Sequence, residues 1–168
     1  GVYDRVAVYH SKKDAEPIAI LEIGKLTPYV HDIALRDDKE YDVVRNIKLL
    51  RLKEDGSELK MWVSAAMDIH NDAVFHPKAL YQRIVNNVGY PVPTTQIGEH
   101  DADLVTECTL DNWNMIADWQ AKCINYLIEN EGIEIVFSHF HNVDLEMHKF
   151  VRFLVDKGQN KQPEAVYE

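Results

Sequence analysis

Ile47-Lys48-Leu49-Leu50-Arg51-Leu52 and Leu59-Lys60-Met61-Trp62-Val63-Ser64 flank the turn Glu54-Asp55-Gly56-Ser57. Two apolar runs around such a turn predict a β-hairpin, with Gly56 supplying a positive φ. Apolar and polar residues alternate only in part, which predicts sheets with one solvated face. Working back toward the first residue, Val6-Ala7-Val8-Tyr9, the run 17–23 closed by Gly24, and Tyr41-Asp42-Val43-Val44 read as further strands. Residues 1–65 are therefore expected to form an antiparallel β-rich region.

Working forward, the character changes. His76-Pro77 opens a predicted helix, since proline suits a first turn. Leu80, Ile84, Val85 and Val88 give it an apolar face, and Gly89 is its stop. Residues 90–108, with Pro91, Pro93, Thr94-Thr95 and Gly98, read as loop. The strongest helical signal follows. Asp111 or Asn112 caps it, and Trp113, Ile116, Ala117, Trp119, Cys123, Ile124, Leu127 and Ile128 recur at helical spacing before Asn130-Glu131-Gly132. Ile133-Glu134-Ile135-Val136-Phe137-Ser138 then reads as a strand. A helix, a glycine turn and an apolar strand make half of an α/β unit. A second helix is expected over 145–155 and an open loop over 156–168. The expected fold class is α/β, with a β-rich region at 1–65 and part of an α/β domain at 66–168.

Bulk properties narrow the function. The 168 residues carry a formal net charge of −10, and the lysines and arginines are scattered. That argues against a nucleic-acid duplex as partner. No apolar run reaches the ~18–20 residues of a membrane span, so no membrane association is expected. Gly1-Val2-Tyr3-Asp4-Arg5 lacks the apolar core of a signal peptide, which points to a cytoplasmic location. It also lacks an initiator methionine, so the chain reads as a piece of something longer. Cys108 and Cys123 lie 15 apart with no CxxC spacing, and read as buried free thiols. No GxSxG elbow, GxGxxG or P-loop is present.

The chemistry-bearing stretch is His139-Phe140-His141-Asn142-Val143-Asp144-Leu145-Glu146-Met147-His148. In open α/β sheets, ligands gather beyond the carboxyl ends of strands. Asp144 and His148 are four apart. On a helix starting near Asp144 they share one face and can hold one metal ion. Zinc takes carboxylate oxygen and imidazole nitrogen at about 2.0–2.2 Å. Two protein ligands leave a tetrahedral site open, so a further ligand must come from elsewhere. His139 and His141 alternate on the strand end and should point opposite ways, one lining the site and one packing. Glu146 reads as a solvated carboxylate. Taken by itself, Asp144 also serves as a helix cap and His148 as a surface residue.

The segment 135–148 resembles the strand, loop and helix of type I phosphodiesterases and nucleotide pyrophosphatases, a branch of the alkaline phosphatase superfamily. Their pattern is an apolar strand, a few polar residues and Asp-x-x-x-His. Leu59-Lys60-Met61-Trp62-Val63-Ser64-Ala65-Ala66-Met67-Asp68-Ile69 is similar to the strand leading back into the catalytic domain after a β-rich insertion. The resemblance covers roughly 40–155 and is strongest over 111–150. It implies an α/β/α catalytic domain, zinc held by Asp144 and His148 in a two-zinc site, and a phosphoester or nucleotide substrate. The family's Thr or Ser nucleophile, early Asp ligand, later Asp-His pair and final His have no counterpart here. The resemblance thus implies a fragment of a phosphoric ester hydrolase, inactive alone. Two other readings stay open: an interaction module presenting Tyr3, Tyr9, Tyr29 and Tyr41, and a phosphomutase or sulfatase of the same superfamily. An unpaired sheet edge would favour homo-oligomers.

Overall fold

The computed structural model describes residues 1–73, 75–93, 102–141 and 144. The chain packs as two compact units, Gly1–Thr95 and Gln96–Glu168. The class is mixed α and β, with antiparallel sheets and two helices among the described residues.

The first unit is built on the expected hairpin. Strands β4 (Lys39–Leu52) and β5 (Leu59–Val63) pair antiparallel, with Ile47 opposite Val63 and Leu52 opposite Leu59. Gly56 turns at φ 74°, and its N–H donates to the Lys53 carbonyl at 2.8 Å. The Asp55 carboxylate accepts from the Ser57 N–H at 2.9 Å and closes the turn. The expected runs at 41–44 and 47–52 are one strand. Both faces of β4 are covered: Val43, Val44, Asn46, Ile47, Lys48, Leu49 and Leu50 are all buried. That double burial is why alternation fails there.

Strand β3 (Leu26–Arg36) is not legible as a strand in the sequence. It pairs antiparallel with β4, and the register shifts between Thr27 and Val30. Pro28 removes a donor inside this irregularity, which is where a strand tolerates proline. Tyr29 turns to φ 51°, and its N–H donates to Oδ1 of Asn46 at 3.0 Å. Asn46 is fully buried, and its own N–H donates to the Ser64 hydroxyl at 2.8 Å. One amide side chain therefore satisfies the donor that the bulge displaces. Asp37 and Asp38, both at positive φ (51° and 57°), turn β3 into β4. Positive φ at both central residues is the pattern of a two-residue hairpin whose twist matches its strands.

Strands β1 (Arg5–Val8) and β2 (Ala19–Glu22) form a separate antiparallel pair. Ile23 bridges to Leu49, and the Gly24 N–H donates to the Leu49 carbonyl at 2.8 Å, tying this pair to β4. Leu21, Val30, Ile47 and Leu49 form the core between them, with Val6, Val8, Ile18 and Leu52 around it. A short strand β6 (Met67–Asp68) adds to the other end of β4. Helix α1 (Ala79–Asn87) follows, buries Tyr81 and Ile84, and ends at Gly89 with φ 113°. Its start lies two residues beyond Pro77, whose carbonyl accepts from the Leu80 N–H at 2.9 Å in the preceding turn.

In the second unit, helix α2 runs Ala102–Asn130. The expected loop over 90–108 is therefore corrected: residues 102–108 are helical, and Asp111 and Asn112 lie inside the helix rather than capping it. No glycine or proline interrupts residues 99–131, so nothing local stops the helix. Asn112 is buried and donates from Nδ2 to the Cys108 carbonyl at 2.7 Å, one turn back. This is how a helix-interior Asn is satisfied without capping. Cys108 and Cys123 are both buried free thiols, and burial pushes the Cys123 thiol up to about 11. Gly132, at φ 65°, ends the helix and lets the Ile133 N–H reach the Leu127 carbonyl at 3.3 Å.

The expected strand at 133–138 is also corrected. Residues 133–141 carry no strand, and Ile135 and Phe137 are 74% and 97% exposed. A parallel strand needs hydrogen-bonding neighbours, and none among the described residues pairs with this segment. The expected helix at 145–155 and loop at 156–168 lie outside the described residues. No helix among the described residues is long and apolar enough to cross a membrane.

Candidate functional site

The expected site residues follow the end of α2. The backbone leaves the helix at Gly132, runs without regular pairing through His141, and is helical again at Asp144. The Gln120 side chain on α2 donates from Nε2 to the His139 carbonyl at 3.2 Å. That bond ties the segment to the helix.

His139, His141 and Asp144 come together. In a strand His139 and His141 would share a face as i and i+2, and the expectation that they diverge is not met in either sense. Their rings stand edge to face with centroids 4.5 Å apart and planes at 85°. Nδ1 of His141 lies 3.3 Å from Nδ1 and 3.2 Å from Nε2 of His139. Nε2 of His141 lies 3.1 Å from Oδ2 of Asp144, and both side chains are about half exposed (49% and 50%).

A carboxylate only accepts, so a neutral His141 carries its proton on Nε2 and donates it to Asp144. Its Nδ1 faces the His139 ring almost equally close to both ring nitrogens. The contact from Nε2 of His141 ties the Asp144 carboxylate to this segment.

The donors are of zinc-binding type, one carboxylate oxygen and imidazole nitrogens. They do not make a finished site. Among the described residues no group of three or more His, Cys, Asp or Glu is gathered to hold a metal ion. His141 hydrogen-bonds Asp144 instead of standing beside it as a co-ligand. His148 lies outside the described residues.

No family model, no curated protein and no solved structure matches this chain.

A second cluster has no signature in the sequence. In the first unit Asp32 accepts from Nε of Arg45 at 3.0 Å, from the Ile33 N–H at 2.8 Å, and pairs with Nδ1 of His10 at 3.0 Å. Burial alone raises the Asp32 carboxyl. The hydrogen bonds from His10, Ile33 and Arg45, with the Arg45 charge, outweigh it and hold the group below the usual carboxylate value. His10 and Asp32 are 22 residues apart, and Asp32 and Arg45 are 13 apart. The β3–β4 pairing, which the proline at 28 obscures, brings Asp32 and Arg45 onto neighbouring strands.

Proposed function

We propose that this chain carries part of the metal site of a zinc-dependent phosphodiesterase or nucleotide pyrophosphatase of the alkaline phosphatase superfamily. Asp144 and His148 would hold one ion, as part of an α/β/α domain completed by residues beyond this chain. One observation carries the reading: the Asp144 carboxylate stands at a helical position, half exposed, with His141 Nε2 fixing one oxygen at 3.1 Å. Ligating carboxylates are characteristically held by such an outer hydrogen bond. His141 is thus assigned to positioning and not to ligation, and His139 supports it through the ring contact.

A bound zinc ion supplies Lewis acidity and lowers the pKa of a bound water to about 7. The residues of this chain orient the ligand carboxylate, and the nucleophile is assigned to a part of the parent that this chain does not supply. The substrate class is a phosphoester or nucleotide.

The test is zinc titration by calorimetry on the chelator-treated chain. Binding is expected at micromolar or weaker affinity, lost in Asp144→Ala and in His148→Ala. His141→Ala should weaken it by about 10- to 100-fold, the usual effect of removing an outer-shell partner. Binding unchanged in Asp144→Ala overturns the assignment. Phosphodiester, phosphomonoester and sulfate ester turnover by the longer parent then separates this reading from a phosphomutase or sulfatase.

A second reading, an interaction module, is favoured by the exposure of Ile135 and Phe137. Two such exposed apolar side chains close together offer a contact for another chain, including a second copy. Sedimentation at tens of micromolar tests it, since Phe137→Ser would then shift an oligomer toward monomer.

A further inference from the structure

Arg45, Asp32 and His10 line a cleft of ≈ 290 Å³ within the first unit. Its other walls are apolar, among them Val8, Ile18, Ile33, Met61 and Val63. Ile33, Met61 and Val63 are 37%, 37% and 40% exposed, so they present apolar surface that the core does not use. Arg45 commits Nε to Asp32, and its two terminal nitrogens make no hydrogen bond among the described residues. The lining therefore combines a guanidinium held through Nε with aliphatic side chains.

We propose that this cleft binds a small organic monocarboxylate, with the carboxylate on the Arg45 fork and the apolar body against Met61, Val63 and Ile33. A guanidinium matches a planar carboxylate with two parallel N–H···O bonds. Asp32 has two consequences. It holds Arg45 through Nε, so the fork is preorganised, and it places one negative charge beside the ligand. A phosphate dianion would meet that repulsion at twice the charge, with only one guanidinium to offset it. A neutral alcohol would leave the fork unfilled. A monoanion with an apolar tail is the remaining chemistry that satisfies both ends. His10 pairs with the other oxygen of Asp32 and completes the carboxylate's partners.

The proposal is independent of the metal reading, and its test is run in chelator so the two fail separately. Hexanoate is titrated into the full chain by calorimetry, with hexanol and inorganic phosphate as controls. Saturable binding is expected in the millimolar range that a ligand of this size reaches. Hexanol and phosphate should bind at least about tenfold more weakly, the worth of one charge-assisted bidentate pair. Arg45→Gln should lose hexanoate by at least about tenfold. That change also unpairs Asp32, so a second variant leaves the cluster intact. Met61→Glu, at a solvent-exposed position, places a carboxylate in the cleft and should abolish hexanoate binding while circular dichroism stays unchanged. No saturable hexanoate binding, equal binding of hexanol, or a folded Met61→Glu that binds as well as the parent would each overturn the proposal.

Discussion

The β4–β5 hairpin and the segment after α2 carry apolar residues at similar density, yet Leu49 is fully buried while Phe137 is 97% exposed. The hairpin finds its partner strand within a few residues, across a turn whose geometry Gly56 and Asp55 impose. The segment 133–141 has no strand partner among the described residues, because a strand reached from a helix pairs with strands remote in sequence. Apolar composition thus provides the drive for burial, but pairing decides whether the drive is satisfied.

Paired substitutions break or sharpen this contrast most directly. Leu49→Ala should cost about 2–5 kcal/mol in denaturant unfolding, the range for emptying a packed core site. Phe137→Ser should change stability by less than about 0.5 kcal/mol, as exposed substitutions do. If Phe137→Ser were as damaging as Leu49→Ala, the segment would be buried in solution and the contrast would disappear. Next in size is Asn46→Ala. It removes the Oδ1 that accepts from the Tyr29 N–H in the bulge, and about 1–3 kcal/mol of stability should be lost. A cost near zero would mean that water or another group takes over this donor.

How far the sequence can be read follows the same division. The hairpin at 47–64, the early strands and the helix stop at Gly89 carry their information locally, in turn residues and runs. Strand β3 does not, because Pro28 and the left-handed Tyr29 interrupt its pattern and the repair comes from Asn46, 17 residues away. Sequence alone misplaces the start of α2, because Asp111 and Asn112 look like caps. Asn112 instead bonds back to Cys108, a use that only the three-dimensional context distinguishes. Of the candidate site, the spacing indicates Asp144 and the neighbouring histidines. The contact from His141 to Asp144, three residues apart, has no periodic signature in the sequence.

Acid titration probes the first unit at its charged end. Asp32 has a folded value below its unfolded one, so the folded state binds fewer protons there. Its contribution is present above the unfolded carboxylate value and is lost as pH falls through the lowered folded value. Stability of the parent should therefore fall more steeply below about pH 4 than that of Asp32→Asn. Parallel stability curves for the two proteins in that window would show that the three hydrogen bonds to Asp32 do not favour its ionised form.

The smallest expected effect concerns the β3–β4 turn. Asp37 and Asp38 both adopt positive φ, which aspartate tolerates at some cost and glycine adopts freely. Asp38→Gly gives Asp-Gly, the pairing favoured at such two-residue turns. Glycine also enlarges the conformational freedom of the unfolded chain, which opposes the gain. Relief of the left-handed strain outweighs that added freedom, at about 1–2 kcal/mol per residue against roughly 0.4–1 kcal/mol. A net stabilisation of about 0.5 kcal/mol is expected, read as a rise in the denaturation midpoint at unchanged slope. A loss instead would mean that the Asp38 carboxylate contributes more to the turn than its backbone strain removes.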